Sequence, residues 1–157
     1  MSSNFVFALA VGIGVVAGLR SLLAPAAIAW AAHLGWLHLQ GTSLGFMGSK
    51  AAVVIFSLLA IGELIGDKLP RVPKRTATAP LLARIVTGGL SAACLCASAN
   101  QSLGIGAGLG AVGAVIGAFG GYNLRKYLVN QLKLPDLIIA LLEDLIAITL
   151  VLFFVSR

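Results

Sequence analysis

The sequence predicts an all-α integral membrane protein, a compact bundle of five or six transmembrane helices, and three observations predict it. Of 157 residues, 59% are hydrophobic and 10% charged, against roughly 45–50% and about 25% in soluble domains. The mean hydropathy is +1.03, so water cannot be the main solvent. The apolar residues fall into blocks near 5–19, 21–37, 51–66, 80–99, 104–123 and 136–155, most of them separated by Gly, Pro and charge. Such blocks approach the about 20 residues that cross a bilayer core about 30 Å thick. One transmembrane helical domain, 1–157, is expected, with no length for a separate soluble one.

The first run is the exception to clean spacing. Arg20 alone divides 5–37, and as one helix that run would measure about 48 Å, too long for one straight span. Either two short helices turn at Arg20, or one helix is broken between Gly18 and Pro25. A break frees backbone groups, which are tolerated only inside protein or beside a water-filled cavity. Met1 to Asn4 carry no Lys or Arg, so this segment reads as mature fold rather than a signal peptide. Trp30 and Trp36 read as anchors at a bilayer interface, with His33 an interfacial side chain between them.

The third block closes on Glu63 and Asp67, one turn apart on one helix face, an acidic pair at the membrane boundary. The segment 68–75 then carries four basic residues and two prolines. Arg125, Lys126 and Lys133 enrich the link before the last block. Both basic regions belong on the cytoplasmic side, and uncharged Asn100 to Leu103 on the outer side. Arg157 then lies outside; the N-terminus does too if the first run is two helices, and lies inside if it is one.

The fourth block carries Arg84, Gly88 and Gly89. Its Cys94 and Cys96, two residues apart, point to different sides of a helix, which favours two buried thiols over a metal site or disulfide. In the fifth, Gly106, Gly110, Gly113, Gly117 and Gly120 form a glycine-zipper stripe along which helices can approach closely. Gly14 to Arg20 is weakly echoed by Gly117 to Arg125, and each is followed by a helix with two carboxylates. Such a weak internal repeat is a feature of transporters. In the sixth block Asp136, after Pro135, is placed to N-cap the helix, and Glu143 and Asp144 follow about 10–12 Å along it, well inside the apolar zone and about 100° apart.

A charge at the centre of a membrane helix costs at least about 2.5 kcal/mol and normally faces protein or water. Glu143 and Asp144 therefore read as a central acidic site, Glu63 and Asp67 as a second, and Arg20 and Arg125 as counter-ions or anion-binding groups, with Arg84 a further partner. The net charge of +6 comes from 11 scattered basic residues, which suits orientation and anionic lipid headgroups rather than nucleic acid. No His-Glu metal motif, Ser-His-Asp set, Walker loop or Rossmann fingerprint occurs, so neither an enzyme nor a cofactor is expected.

Gly18-Leu-Arg20, Gly62-Glu-Leu-Ile-Gly-Asp-Lys-Leu-Pro70, the glycine run ending Gly120-Gly-Tyr122, and Glu143-Asp144 together resemble a family of small bacterial membrane proteins known only as a domain of unknown function. The resemblance covers nearly the whole chain. It implies a multi-pass protein of the bacterial inner membrane and carries over no activity.

Two readings stay open. One is a secondary transporter or channel-like protein for an ion or small solute, a homo-oligomer with the carboxylates as ion or proton site. The other is a noncatalytic structural or lipid-binding membrane protein whose buried charges are salt bridges that hold helices in register.

Overall fold

The computed structural model describes residues 2–66, 77–131, 133 and 135–157. The described residues form six α-helices and one 3-10 turn. The helices are α1 (Ser3–Leu19), α2 (Leu23–His33), α3 (Lys50–Gly66), α4 (Thr78–Ser98), α5 (Leu103–Asn130) and α6 (Asp136–Val155), with the 3-10 turn at Gly45–Gly48 before α3. By length and composition α4, α5 and α6 can each cross a membrane, and α1 and α2 are shorter apolar helices.

The long first run is two helices. Arg20 takes an extended backbone conformation and closes α1. Pro25 sits in the first turn of α2, where its missing N–H has no intrahelical partner to lose. α2 stops at His33, earlier than the apolar pattern suggests, because Gly35 takes a left-handed conformation. The Trp36 N–H then reaches back to Ala31 O at 2.8 Å, a closure that a residue without a Cβ makes easily. Asn100 ends α4 in the same way, with Gln101 N donating to Cys96 O at 2.7 Å.

Glycine sets the core. A Cβ on Gly14 would strike Gly110 O, one on Gly113 would strike Val11 O, and one on Gly117 would strike Val15 O. α1 and α5 thus touch backbone to backbone and advance in the same direction. On its other side α5 meets α4 running the opposite way, Gly110 against Gly88 and Gly106 against Cys96 and Ala92. Without a hydrophobic drive in lipid, such close packing is what holds membrane helices together. Gly120, expected in the same stripe, has nothing near its Cβ position, since by there α5 has run past the end of α1. Cys94 and Cys96 are both buried free thiols.

α6 runs antiparallel to α1: Phe154 lies over Gly12, while Asp144 reaches Arg20 beyond the other end of α1. One end of the bundle therefore gathers the end of α1, the start of α2, the end of α3, the start of α4, the end of α5 and the start of α6. The opposite end carries Trp36, Leu37, Ser98 and Arg157 around one cleft. Both tryptophans are exposed, and Trp30 Nε1 donates to Ser57 Oγ at 2.9 Å. His33 Nδ1 lies 3.0 Å from Gly48 O.

Candidate functional site: a charged layer at a broken helix

The break between α1 and α2 leaves two sets of backbone groups without intrahelical partners, carbonyls at the end of α1 and N–H groups at the start of α2. Each set is met by a charge of the complementary sign. Arg84 Nη1, from the second turn of α4, donates to Gly18 O at 2.7 Å and to Leu19 O at 2.8 Å. The Glu63 carboxylate, from the last described turn of α3, accepts from Ser21 N at 2.8 Å, Ser21 Oγ at 2.6 Å and Leu22 N at 2.8 Å. A cation at a helix C-terminus and an anion at an N-terminus both match the helix macrodipole. The two caps also meet each other, with Arg84 Nη2 3.9 Å from Glu63 Oε1.

Arg20, within the break, turns away from these groups into the bundle. It is fully buried and its Nη2 pairs with Asp144 Oδ1 of α6. Asp144 is itself 7% exposed, so the pair is enclosed by protein. Its neighbour Glu143 points about one quarter-turn away, as adjacent helical residues must, and meets a different arginine: Arg125 Nη1 lies 3.9 Å from Glu143 Oε2. Arg125 holds Asp136 more closely, through Nε at 2.8 Å and Nη2 at 2.7 Å, the bidentate fork that suits a carboxylate.

Three guanidinium groups and four carboxylates thus share one layer. A cavity of about 200 Å³ reaches it between α5 and α6, lined by Leu19, Leu124, Leu128, Ile139, Leu142 and Ile146 with Arg125 and Glu143. Its walls are aliphatic because α6 packs mainly on α1 and α2, leaving the seam with α5 thinly filled.

Of the residues read from sequence as a site, Arg20, Glu63, Arg125, Glu143 and Asp144 come together here, and Asp67 lies outside the described residues. Three local expectations are corrected. Glu63 faces the helix break rather than an acidic membrane surface, because two backbone N–H groups bind its carboxylate there. Arg125 and Lys126 lie within α5, not in a link after it, since 122–130 contain neither Gly nor Pro. Asp136 is the first residue of α6, with Pro135 at the N-cap position, and its carboxylate is taken by Arg125. Ser21 went unread in the sequence, where a lone serine carries no signal. The role of Arg84 as a cap was also hidden, although an arginine inside an apolar block marks a buried partner.

A search of curated proteins and of solved structures finds no match to the chain. The model of the family described as Domain of unknown function (DUF4126) matches residues 7–156. That match spans nearly the whole chain, and the chain belongs to that family.

Proposed function

We propose that the protein is a secondary transporter or channel-like protein for an ion or small solute, with its site at the charged layer of the α1–α2 break. One observation carries this reading: an interrupted helix whose two ends meet a buried arginine and a partly buried carboxylate, inside an otherwise apolar bundle. Transporter sites are built from such discontinuous helices, whose half-helix ends hold ions and charged groups. Ionisable residues at membrane depth are costly and mark ion pathways and relays. In this reading the chain is a homo-oligomer of the bacterial inner membrane, with the charged end cytoplasmic and both described ends of the chain outside. Glu143, on the cavity, is the first carboxylate that an entering ion meets.

The second reading, a noncatalytic structural or lipid-binding protein, is favoured by the enclosure of Arg20 with Asp144. Reconstitution separates the two. Purified protein is placed in vesicles that contain a pH-sensitive dye, and proton flux is followed after imposing a potassium gradient with valinomycin. A parallel set follows rubidium uptake. The transport reading expects protein-dependent flux of proton or alkali cation that Glu143→Gln abolishes while the protein stays folded. Flux equal to that of empty vesicles across both probes supports the structural reading.

A further inference from the structure

α3 is the least embedded helix. Of its residues Lys50–Gly66, only Ala52, Val53 and Ala60 are buried, while Val54, Ile55, Leu58, Leu59, Ile61 and Ile65 are exposed. It packs chiefly on α2 and the 3-10 turn, so its two ends are held differently. At the end away from the charges, Gly48 seats against Ala32, and Ser49, in an extended conformation, joins the 3-10 turn to α3. At the charged end Gly62 and Gly66 meet nothing at their Cβ positions, and among the described residues Glu63 ties this end to Ser21, Leu22 and Arg84. A helix with a smooth apolar surface, a backbone joint at one end and a carboxylate fastening the other has the construction of a gate.

We propose that α3 is a hinged gate that pivots near Ser49 and is latched by Glu63. Neutralising the Glu63 carboxylate releases the Ser21 and Leu22 N–H groups and removes the anion beside Arg84. The charged end of α3 then moves outward and opens the helix break to water. The groups around the latch define what loss of the Glu63 charge would change. α4 presents Arg84, whose Nη2 is 3.9 Å away. The break presents Ser21 and the two N–H groups, while Arg20 is turned toward Asp144 of α6. The titratable group of α2, His33, sits at the far end against Gly48 O. The released state exposes α2 N–H groups that need a new partner, and entering water or an ion supplies it. The gate rests on the transport reading for its purpose, but its motion is measured independently.

The test places spin labels at Ile65→Cys and Leu82→Cys, both exposed, with Cys94 and Cys96 replaced by alanine, and reads the distance distribution in lipid nanodiscs. A second pair, Phe5→Cys and Val54→Cys, reports the hinge end. Glu63→Gln should add a longer-distance population at the charged end and leave the hinge-end pair unchanged. If Glu63→Gln does not yield folded protein, Ser21→Ala, which removes one of the three hydrogen bonds to the carboxylate, should show the same population to a smaller extent. An unchanged distribution at the charged end, or equal broadening at both ends, overturns the gate. Movement of α3 without flux in vesicles would retain the gate and overturn transport, and flux with α3 immobile would do the reverse.

Discussion

Arg84 and Glu63 cap opposite ends of one interrupted helix: the guanidinium binds Gly18 O and Leu19 O at the end of α1, and the carboxylate binds Ser21 N and Leu22 N at the start of α2. Their side chains approach to 3.9 Å. The break is stable in an apolar setting because each cap carries the charge that its helix end attracts, and because each cap partly neutralises the other. Loss of Arg84 leaves the Gly18 and Leu19 carbonyls in surroundings that cannot solvate them.

Arg84→Gln should therefore lower stability by about 3–5 kcal/mol, the cost of breaking a buried charged contact. Arg84→Lys should fall between, since an ammonium keeps the charge but lacks the fork that spans two carbonyls. Unfolding in mixed micelles of increasing SDS content measures both. Equal stability of Arg84→Gln and the unaltered protein would show that α1 ends without help from α4.

Asp144→Asn should cost about 3–5 kcal/mol, because it leaves the Arg20 guanidinium buried with its carboxylate neutralised. Arg20→Met added to Asp144→Asn should recover much of that loss, giving a coupling energy well above the about 0.5 kcal/mol scatter of independent sites. Thermal unfolding in detergent of the two single variants and the double variant completes the cycle. Additive losses would mean that the pair contributes nothing jointly.

Glu143→Gln should behave differently, with a stability change within about 1 kcal/mol. Its carboxylate lies 3.9 Å from Arg125 at the wall of a cavity, and Arg125 keeps the bidentate contact with Asp136. The same unfolding assay reads it. A loss as large as that of Asp144→Asn would make Glu143 a structural residue and remove it as an entry site.

Gly113→Leu and Gly117→Leu should prevent folding, since even a Cβ at these positions would collide with the backbone of α1. Gly120→Leu should be tolerated, because its Cβ position is open, and replacing an exposed helical glycine adds up to about 1 kcal/mol of helix propensity. Folded yield and thermal midpoint after detergent extraction compare the three. Similar behaviour of all three would contradict the backbone contact of α1 with α5.

Orientation is tested by single cysteines at Arg75 and Gln101 in a cysteine-free background. The basic segment 68–75 should be protected from an impermeant maleimide added outside intact cells, and Gln101 should be labelled. Labelling at 75 alone would invert the protein and put the charged layer toward the outer face.

Much of the fold was legible in the chain. The six apolar blocks correspond to the six helices, and an interruption near Arg20 was read from its lone charge and from length, since a bilayer limits how long one helix can run; whether it parted two helices or broke one stayed open. The depth of Glu143 and Asp144, and the need for two different partners, followed from 1.5 Å of rise and 100° of turn per residue. Helix ends were less visible. α2 stops at Gly35 and α5 continues through 121–130 because backbone conformation and capping decide ends, and hydropathy hardly registers either.

The sequence by itself determined the solvent, the helical class, the place of the break and the residue types that had to be buried, because these depend on composition and on local helical period. Only the tertiary structure decided which arginine meets which carboxylate. Arg20, Glu63, Arg84, Arg125, Asp136 and Asp144 are spread over 125 positions from 20 to 144, and any pairing satisfied the sequence equally well. The close approach of α1, α4 and α5 through glycine set the helix directions and depths, and those turned Arg84 to one end of the break and Glu63 to the other. Electrostatic attraction falls steeply with distance and with solvent between the charges, so the choice of partner belongs to the packing that brought them together.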